Sequence, residues 1–538
     1  MPTVRQASHA LLRDAGLTTV FGNPGSNELP FLDRFPSDFR YVLGLHEGAV
    51  LAMADGYAQV SGRPALVNLH SAAGLGNAMG NLANARASHT PLVVTAGQQS
   101  RAMVGLGSVL GEPAMVRVPE PQVKWAYEPA CAQDVPRALC EAFHLATLPP
   151  AGPVFVSVPL DDWAQEVGDE EVAALSGRRV RWAGALAPEV VTELTTRLAQ
   201  ARAPALVVGP EVDDERAFPL VVRLAERLQA AVWTAPTPPR CPFPPRHPLW
   251  QGVLPNSIAG VGEQLAGCDL VLVLGAPVFR YHVHRAGPWL PAGVELLAVG
   301  SDPGAAARAP FGDAVVADVA TVTGQVLDAL PAASPAPDPA RPDPPRRELP
   351  DPARPEAAPF TPSALFAEMA RCLPPDVRLV NESTSNTPQF WAHLDLDRPR
   401  SLLFPAAGGL GFGLPAAVGA ALADPSRPVV AVLGDGAFQY GVAGLWTAAQ
   451  HDLPVTFVVL RNGGYGVLED FAAHLDVEGV PGLDLPGLDA VRIAEGYGIA
   501  AARPETGGEL TDALRCTTSA TGPRVLEVPV TTEARALG

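Results

Sequence analysis

Polar side chains that could act on a small molecule follow three short apolar runs near the start of the chain. The loop at residues 22–28 carries Ser26, Glu47 follows the second run, and His70 follows the third. In a parallel sheet the carboxyl ends of the strands meet at one edge, where ligands bind. Taken alone, a glutamate at a helix start is usually a helix-dipole contact, and a histidine after a strand is usually structural. Because the three would converge, we interpret this hydroxyl, carboxylate and imidazole as a candidate catalytic group that could hold and move protons.

A second pattern, in the last third of the chain, has the ligand types that Mg²⁺ prefers. One apolar run ends in Gly-Asp-Gly at 434–436, and the next ends in Arg-Asn-Gly-Gly at 461–464. A lone Gly-Asp-Gly is a common turn, but a carboxylate and an amide oxygen at adjacent strand ends suit a hard cation. A magnesium ion with few protein ligands usually bridges to phosphate groups, which glycine backbone can approach closely. Asp435 and Asn462 therefore predict a site for a Mg²⁺-bound phosphate compound.

The glycine-rich run at residues 408–413, Gly-Gly-Leu-Gly-Phe-Gly, has the composition of a dinucleotide fingerprint without its spacing. The third glycine of that fingerprint would fall at position 414, which is leucine. The run therefore does not predict a simple NAD site.

These side chains would be positioned by short, continuously apolar strands that alternate with amphipathic helices. The predicted strands are 18–21, 41–45, 64–69, 91–95, 203–208, 270–274, 294–299, 378–380, 428–433 and 454–460, and the clearest helices are 48–60, 75–88 and 363–372. Strands that are apolar on both faces and joined by helices form parallel sheets covered on both sides. We predict an α/β protein made of three doubly wound parallel-sheet domains.

Two changes of composition divide the chain into predicted domains at residues 1–165, 185–330 and 361–538. Residues 331–360 are dominated by Pro, Ala, Arg and Asp, a composition that predicts an extended, semi-rigid linker. The linker ends at Thr361-Pro362, a helix N-cap followed by proline at the first helical position. The softer boundary, near 165–187, is an acidic run that leads into an arginine-rich patch.

The composition excludes several classes of function. Of the 538 residues, 38 are Lys or Arg and 56 are Asp or Glu, which gives a net charge of −18. This acidic balance argues against general nucleic-acid binding and against docking on anionic lipid, although it permits a local anion site. Six scattered cysteines without a zinc spacing predict reduced thiols. Since the sequence has neither a membrane-length apolar run nor a secretory signal, we expect a cytoplasmic protein.

The sequence resembles the thiamin-diphosphate-dependent enzymes, and within that superfamily the benzoylformate decarboxylase family. Residues 434–436 with Asn462 look like the diphosphate–magnesium motif, and Glu47 looks like the glutamate that activates the cofactor. The more specific runs extend over the whole chain, at 21–30 (FGNPGSNELP), 68–74 (NLHSAAG), 95–103 (TAGQQSRAM), 240–247 (RCPFPPRH), 275–282 (GAPVFRYH), 381–385 (NESTS), 406–412 (AAGGLGF), 445–450 (LWTAAQ) and 480–484 (VPGLD).

The resemblance implies a pyrimidine-binding first domain, a largely structural middle domain and a diphosphate-binding third domain. It implies thiamin diphosphate and Mg²⁺ as cofactors, held between the first domain of one subunit and the third domain of another, so a homodimer or homotetramer is expected. The positions that match the cofactor site are Glu47, Glu382, Thr384, Ser385, Gly408, Leu410, Asp435, Gly436, Ala437, Asn462 and Tyr465. The positions that match the metal ligands are Asp435, Asn462 and the carbonyl of Gly464.

The same resemblance implies decarboxylation of an aryl 2-oxo acid, benzoylformate to benzaldehyde and CO₂. The matching catalytic residues are Ser26, Glu47, His70 and His282, and the matching substrate pocket consists of Ser26, Val109, Leu110, Leu468 and Phe471. Ser26 would bind the substrate carboxylate, and the two histidines would shuttle protons. Without the resemblance, His282 could cap a loop, and Leu468 and Phe471 could belong to an ordinary core.

Departures from the family pattern leave the substrate open. Glu469 and Asp470 precede Phe471 where the family has a basic and a bulky aromatic residue, so the pocket could differ in charge. Two alternatives keep the cofactor, namely a decarboxylase for another 2-oxo acid and an acetolactate-synthase-like carboligase. A catalytically silent relative is disfavoured, because Glu47, Asp435 and Asn462 are all present.

Overall fold

Three six-stranded parallel sheets organise the computed structural model, which describes residues 1–331, 354–393, 395–518 and 521–533. The first sheet contains β1 (Thr19–Gly22), β2 (Arg40–Leu43), β3 (Ala65–Leu69), β4 (Leu92–Gln98), β5 (Ala126–Tyr127) and β6 (Val154–Pro159). The second contains β7 (Pro204–Val208), β8 (Ala231–Thr234), β9 (Trp250–Val253), β10 (Leu270–Leu274), β11 (Glu295–Gly300) and β12 (Asp313–Val316). The third contains β13 (Arg378–Glu382), β14 (Leu402–Leu403), β15 (Val429–Gly434), β16 (Val455–Arg461), β17 (Ala500–Ala502) and β18 (Arg524–Pro529). The predicted α/β fold of three parallel-sheet domains is confirmed.

Helices join the strands and cover both faces of the sheets. In the described ranges they are α1 (Val4–Asp14), α2 (Leu29–Leu32), α3 (Glu47–Ser61), α4 (Ser71–Ala87), α5 (Arg101–Val104), α6 (Val135–Thr147), α7 (Asp169–Leu175), α8 (Pro188–Gln200), α9 (Ala217–Leu228), α10 (Ile258–Gln264), α11 (Pro303–Arg308), α12 (Val319–Ala329), α13 (Pro362–Cys372), α14 (Thr387–His393), α15 (Gly413–Ala423), α16 (Asp435–Gly441), α17 (Gly444–Gln450), α18 (Gly466–His474), α19 (Ala490–Gly496) and α20 (Gly507–Arg515). None of these helices is long and apolar enough to cross a membrane.

The strands predicted from sequence are present, with ends that shift by a few residues. Every residue of β3, β7 and β10 is buried, which agrees with strands covered on both faces. Helix α13 also begins as predicted, because Thr361 Oγ1 accepts the Ala364 N–H at 3.3 Å.

Strand order places the candidate residues at crevices. The first and third sheets share one order, β2-β1-β3-β4-β6-β5 and β14-β13-β15-β16-β18-β17. In this order the chain leaves β1 toward one edge and returns to pair β3 on the other side. The loops that follow β1 and β3 therefore diverge and leave a crevice at the carboxyl edge, as do those after β13 and β15.

The predicted linker ends in ordered structure. Most of it, residues 332–353, lies outside the described residues. Of the remainder, Ala357 forms a bridge with Thr506, and Phe360 is 2% exposed and pairs with Val530 beside the third sheet. The apolar Phe360 side chain therefore anchors the end of this segment on the third domain.

Helices α3 and α15 hold the first and third sheets against each other through small residues. A Cβ added at Gly419 of α15 would overlap the carbonyl oxygen of Met53, and one added at Gly56 of α3 would overlap that of Ala416. The two backbones can approach this closely only because both positions lack a side chain. Since α3 begins at Glu47 and α15 follows residues 408–412, this contact sets the distance between two candidate site segments.

We expect Gly419→Ala to destabilise the protein by about 1–3 kcal/mol, because the methyl group must push the two helices apart. Gly324→Ala in α12 is the matched control, since nothing lies within 4 Å of a Cβ there and its stability should be unchanged or slightly higher. Chemical denaturation of both variants measures the difference. Equal stability of the two variants would contradict the tight α3–α15 contact.

Candidate active site and cofactor cleft

Glu47 is the first residue of α3, and two asparagine side chains hold its carboxylate. Asn23 Nδ2 donates to Oε1 at 3.2 Å, and Asn77 Nδ2 donates to Oε2 at 3.0 Å. The residue is 8% exposed. Each carboxylate oxygen accepts one hydrogen bond in this arrangement and keeps a lone pair for a further donor. Glu47 is therefore oriented, largely buried and able to bind a ligand that carries a nitrogen or a proton.

Ser26 and His70 lie at the same edge of the first sheet as Glu47. Ser26 is exposed in the loop after β1, and His70 follows β3. The His70 ring is 2.8 Å from the buried carboxylate of Glu28, measured from Nδ1 to Oε2. The strand order thus places the predicted hydroxyl and imidazole at the same edge, in the loops that border the crevice between β1 and β3.

The predicted pocket residues Val109 and Leu110 join this edge through the loop after α5. Asn27 Nδ2 donates to the Leu110 carbonyl at 3.3 Å, and Gln99 Nε2 donates to the Val109 carbonyl at 3.1 Å. Val109 is 83% exposed and Leu110 is 38% exposed. Apolar side chains this open at a polar edge are available to a ligand or to another subunit.

Asp435 begins α16 at the end of β15, and backbone amides fix its carboxylate. Oδ1 accepts the Gly436 N–H and Oδ2 accepts the Gly463 N–H, both at 2.8 Å. Burial raises the pKa of Asp435 above its usual value, although these N–H groups oppose the rise. Asn462 Oδ1 accepts the Gly464 N–H at 3.3 Å beside it. The predicted carboxylate and amide are therefore adjacent, with the carbonyl of Gly464 on the same loop.

Ser385 and Tyr465 reach the same region from neighbouring turns. A Cβ added at Gly466 would lie 3.3 Å from Ser385 Oγ and 3.1 Å from Asn462 Nδ2, so both side chains face that backbone. A Cβ added at Gly436 would lie 2.6 Å from the Tyr465 ring. Thr384 is in the same turn as Ser385, and Ala437 follows Gly436 in α16.

This third-domain edge fits a metal-bound diphosphate rather than a metal held by protein alone. Within the described ranges no group of three or more His, Cys, Asp or Glu could hold a metal ion. The available donors are one carboxylate, one amide oxygen and one carbonyl, from Asp435, Asn462 and Gly464. A six-coordinate Mg²⁺ with this donor set needs oxygens from its ligand, and phosphate groups supply them.

Glu382 at the end of β13 supports the segment that leads into α15. Its oxygens accept the Phe412 N–H at 3.1 Å and the Gly413 N–H at 2.9 Å. Burial raises the pKa of Glu382 to about 8. The side chain thus fixes the backbone at Phe412 and Gly413, which directly follow the segment with Gly408 and Leu410. A contact of Glu382 with a cofactor stays a prediction.

An asparagine row on α4, consisting of Asn77, Asn81 and Asn84, connects the two candidate edges. Asn77 holds Glu47, as described above. Asn81 Nδ2 lies 2.9 Å from the Gly48 carbonyl and 3.4 Å from the Gly411 carbonyl. Asn84 Oδ1 accepts the Ala407 N–H at 3.0 Å, while its Nδ2 donates to the Gly409 carbonyl at 2.8 Å.

Sequence reasoning missed the asparagine row. Its spacing of four and then three residues places the side chains on one helix face, and this periodicity was the available signal. The backbone partners of Asn81 and Asn84 in residues 407–411 are more than 300 positions away and carry no side-chain pattern that marks them.

His282, in the loop after β10, lies beside α18 of the third domain. Its ring centroid is 4.9 Å from that of Phe471. The backbone N–H of His282 donates to the Asn256 carbonyl at 2.8 Å. Arg280 Nη2 donates to the Ala406 carbonyl at 2.8 Å and ties this loop to residues 405–411. His282 therefore joins the third-domain edge, where Leu468 is 45% exposed.

The candidate site residues form two sets within one chain. The first-domain set comprises Ser26, Glu47, His70, Val109 and Leu110. The third-domain set comprises Glu382, Thr384, Ser385, Gly408, Leu410, Asp435, Gly436, Ala437, Asn462, Gly464, Tyr465, Leu468 and Phe471, and we count with it His282 of the middle domain, which contacts Phe471. The asparagine row and the α3–α15 contact hold the two sets in a fixed relation.

Comparison with known proteins identifies the family. Models of the N-terminal thiamine pyrophosphate (thiamin diphosphate) binding domain, the central domain and the C-terminal thiamine pyrophosphate binding domain match residues 2–118, 191–330 and 383–528. Benzoylformate decarboxylase from Pseudomonas aeruginosa is 52% identical over 535 residues, 99% of each chain. The acetolactate synthase isozyme 1 large subunit of Escherichia coli is 26% identical over 97% of this chain and 93% of that protein.

Among solved structures, the thiamine diphosphate-dependent 4-hydroxybenzoylformate decarboxylase of Rhodococcus jostii RHA1 superposes with a TM-score of 0.95. It is 48% identical, and the match covers 99% of this chain and all of that one. The chain belongs to the thiamine pyrophosphate enzyme family. Within it, the chain is a 2-oxo-acid decarboxylase, and the cofactor of its N- and C-terminal domains is thiamin diphosphate.

We expect Asn84→Ala to loosen residues 407–411, because that segment loses its hydrogen bonds to the side chain of Asn84. Hydrogen exchange of the amides in this segment should become about tenfold faster, in line with roughly 1.4 kcal/mol for one or two net hydrogen bonds. Asn77→Ala is the matched control from the same row, since its contact is with Glu47. Unchanged exchange in Asn84→Ala, or equal acceleration in both variants, would show that the row does not hold this segment.

Proposed function

We propose that the chain decarboxylates an aryl 2-oxo acid without oxidation, converting benzoylformate to benzaldehyde and CO₂, with thiamin diphosphate and Mg²⁺ bound. The observation that carries this proposal is the buried carboxylate of Glu47, which is fixed by Asn23 and Asn77 and keeps lone pairs for a ligand. The names of the relatives at 52% and 48% identity support the aryl substrate.

The third-domain set has the donors that the cofactor needs. Asp435, Asn462 and the Gly464 carbonyl would bind Mg²⁺, and the start of α16 at Gly436 and Ala437 would face the diphosphate. Thr384, Ser385 and Tyr465 would line the same part of the cleft. The Gly408 carbonyl would accept a hydrogen bond from the aminopyrimidine, and Leu410 would pack beneath the cofactor. When bound, thiamin diphosphate would supply a thiazolium ring that accepts the electron pair of the broken C–C bond.

The side chains of the protein would position the substrate and move protons. Glu47 would hold a proton at the pyrimidine nitrogen that faces it, which is general acid–base catalysis by an oriented carboxylate. Ser26 Oγ would donate a hydrogen bond to the substrate carboxylate. His70 and His282 would hold the protons that enter or leave before the aldehyde is released.

The substrate ring would contact apolar side chains from both sets. Val109 and Leu110 come from the first domain, while Leu468 and Phe471 lie on α18 of the third. Together they would form an apolar pocket that excludes water from the reacting carbon and suits an aryl group.

We also propose a homo-oligomer, a dimer or a tetramer, with cytoplasmic location. Val109 at 83% exposure and Tyr440 at 61% are large side chains left open at the edges of the two sets. A second copy of the chain would cover them and would complete each cleft with the first-domain set of one subunit and the third-domain set of the other.

A decarboxylase of another 2-oxo acid is the second candidate. Glu469 and Asp470 immediately precede Phe471 on α18, and Glu469 Oε1 lies 3.9 Å from a Cβ added at Gly464. Carboxylates here would favour a substrate with a hydroxyl or a cationic group over a plain phenyl ring. A carboligase of the acetolactate-synthase type stays a third alternative.

A panel of 2-oxo acids tests the substrate. Purified protein would be assayed for CO₂ and aldehyde with benzoylformate, 4-hydroxybenzoylformate, phenylpyruvate, pyruvate and a branched aliphatic acid, with and without thiamin diphosphate and Mg²⁺. We expect cofactor-dependent benzaldehyde from benzoylformate at a kcat/KM at least tenfold above the aliphatic acids. Preference for another acid supports the second candidate, and a condensation product from pyruvate supports the carboligase.

We expect Glu47→Gln to bind thiamin diphosphate and Mg²⁺ but to lose about 100-fold or more of kcat, because the amide cannot hold and release a proton. Calorimetry of cofactor binding and steady-state turnover measure the two effects separately. The exposed Glu193→Gln in α8 is the control and should match the unmodified protein in both. Turnover close to normal in Glu47→Gln would remove Glu47 from the proposed mechanism.

A further inference from the structure

Glu28 is a fully buried carboxylate directly behind His70. Its side chain has an exposed fraction of zero, whereas that of His70 is 24% exposed. Glu28 Oε2 accepts the Gly25 N–H at 2.9 Å and lies 2.8 Å from His70 Nδ1. Oε1 accepts the Gly97 N–H at 2.8 Å and the Ser71 N–H at 3.2 Å. The carboxylate thus contacts the ends of three neighbouring strands and one imidazole.

This cradle leaves no room for additional atoms. A Cβ added at Gly25 would overlap the His70 ring, and one added at Gly97 would overlap Glu28 Oε1. The backbone therefore approaches both the ring and the carboxylate as closely as glycine allows. Such close support restricts the orientation of both side chains.

The hydrogen-bond partners determine the protonation state of the pair. Three of the four partners of Glu28 are backbone N–H groups, which can only donate. An ionised carboxylate has two oxygens with lone pairs for four donors and no hydrogen to place, so Glu28 carries its negative charge. The fourth partner must donate as well. His70 therefore carries a hydrogen on Nδ1, and its Nε2 has the lone pair when the ring is neutral.

We propose that Glu28 is the positioning residue for His70 in the decarboxylation reaction. It holds the ring with Nδ1–H toward the buried carboxylate and Nε2 toward the cleft, and it stabilises the positive ring that forms when Nε2 takes a proton. Glu28 does not contact the substrate and acts through His70 alone. This inference rests on the proposed function of the site.

Tyr41, Glu47 and His46 are further ionisable groups on the elements around the pair. Burial, together with the negative charge of Glu28, raises the pKa of Tyr41 in β2 well above its usual value. The Tyr41 hydroxyl therefore stays neutral. Glu47 lies at the same edge at the start of α3, and His46 precedes it. Glu47 is present in all of the variants below. Differences in kcat or pH profile between the Glu28 variants therefore report changes in the Glu28–His70 pair.

The principal test compares Glu28→Gln with Glu28→Asp in the holoenzyme. Gln keeps the size of the side chain but removes its charge. Its amide NH₂ group would face two donors and could accept neither hydrogen bond. We expect kcat to fall tenfold or more, and the acid limb of the kcat profile to move by about one pH unit to lower pH because the charged ring loses its counter-ion. Glu28→Asp keeps the charge on a shorter side chain, so kcat should fall less and the acid limb should stay in place. A folded Glu28→Gln with the normal profile, or equal displacement of the limb in both variants, overturns the proposal.

A readout independent of turnover is the reaction of His70 with diethyl pyrocarbonate, whose carbonyl carbon is attacked by an unprotonated ring nitrogen. Peptide mass spectrometry would follow the modification of His70 against pH in the holoenzyme. In Glu28→Gln the acid side of this curve should move in the same direction as the acid limb of kcat. If the protein decarboxylates no 2-oxo acid, the chemical curve still tests the pair, so failure of the proposed function and failure of this inference are distinguishable.

A double-mutant cycle separates positioning from general support of the fold. In a His70→Ala background, Glu28→Asp should lower kcat no further if Glu28 acts through His70. An additional loss in that background would overturn the assignment. Glu211→Gln is the control, because Glu211 is another buried carboxylate that accepts a backbone N–H, that of Ser301 at 2.9 Å in the middle domain. Its pH profile and its His70 modification should match those of the unmodified protein.

Discussion

The close contact between α3 and α15 is the constraint on which the arrangement of the site depends. Gly56 and Gly419 let the two backbones approach so closely that a Cβ at either position would overlap the facing backbone. Each helix begins at a candidate functional edge, α3 at Glu47 and α15 directly after residues 408–412. Repulsion between two closely packed backbones rises steeply as the distance shortens. The contact therefore fixes the separation of these edges more sharply than a surface of long, flexible side chains would.

Four buried carboxylates lie near the site, and they differ in how many of their lone pairs the protein uses. Glu28 accepts four hydrogen bonds, whereas Glu47 accepts two from asparagine side chains. Glu382 and Asp435 each accept backbone N–H groups, Glu382 from the segment before α15 and Asp435 from neighbouring glycines. A carboxylate with all of its lone pairs in use can only support its neighbours, while one with lone pairs left can bind a metal or a proton. This difference separates the structural role of Glu28 from the working roles proposed for Glu47 and Asp435.

Much of this arrangement could be predicted from the sequence because parallel strands place polar residues at one edge. The continuous apolar run at 270–274 predicted β10 with its correct ends, and the residues after β1, β3, β15 and β16 lie at the edges where they were expected. The strands that were not predicted are β5, β6, β8, β9, β12, β14, β17 and β18. Of these, β5 and β14 have only two residues and carry no periodicity, whereas β6 and β18 have six residues each and were overlooked. Glu28 was also missed as a partner of His70. It lies 42 positions away, and only the crevice between β1 and β3 brings the two together.

The asparagine row has a consequence for how the enzyme responds to its solution. Amide side chains carry no charge at any physiological pH, so Asn77, Asn81 and Asn84 keep the same hydrogen bonds when nearby acids and imidazoles gain or lose protons. Neutral contacts are also little affected by dissolved ions, whereas surface ion pairs weaken as salt is added. The frame that joins Glu47 to residues 407–411 is thus electrically inert, while the groups mounted on it titrate. A change of rate with pH should therefore report the charge of the titrating groups, with the separation of Glu47 from residues 407–411 of the same chain held constant.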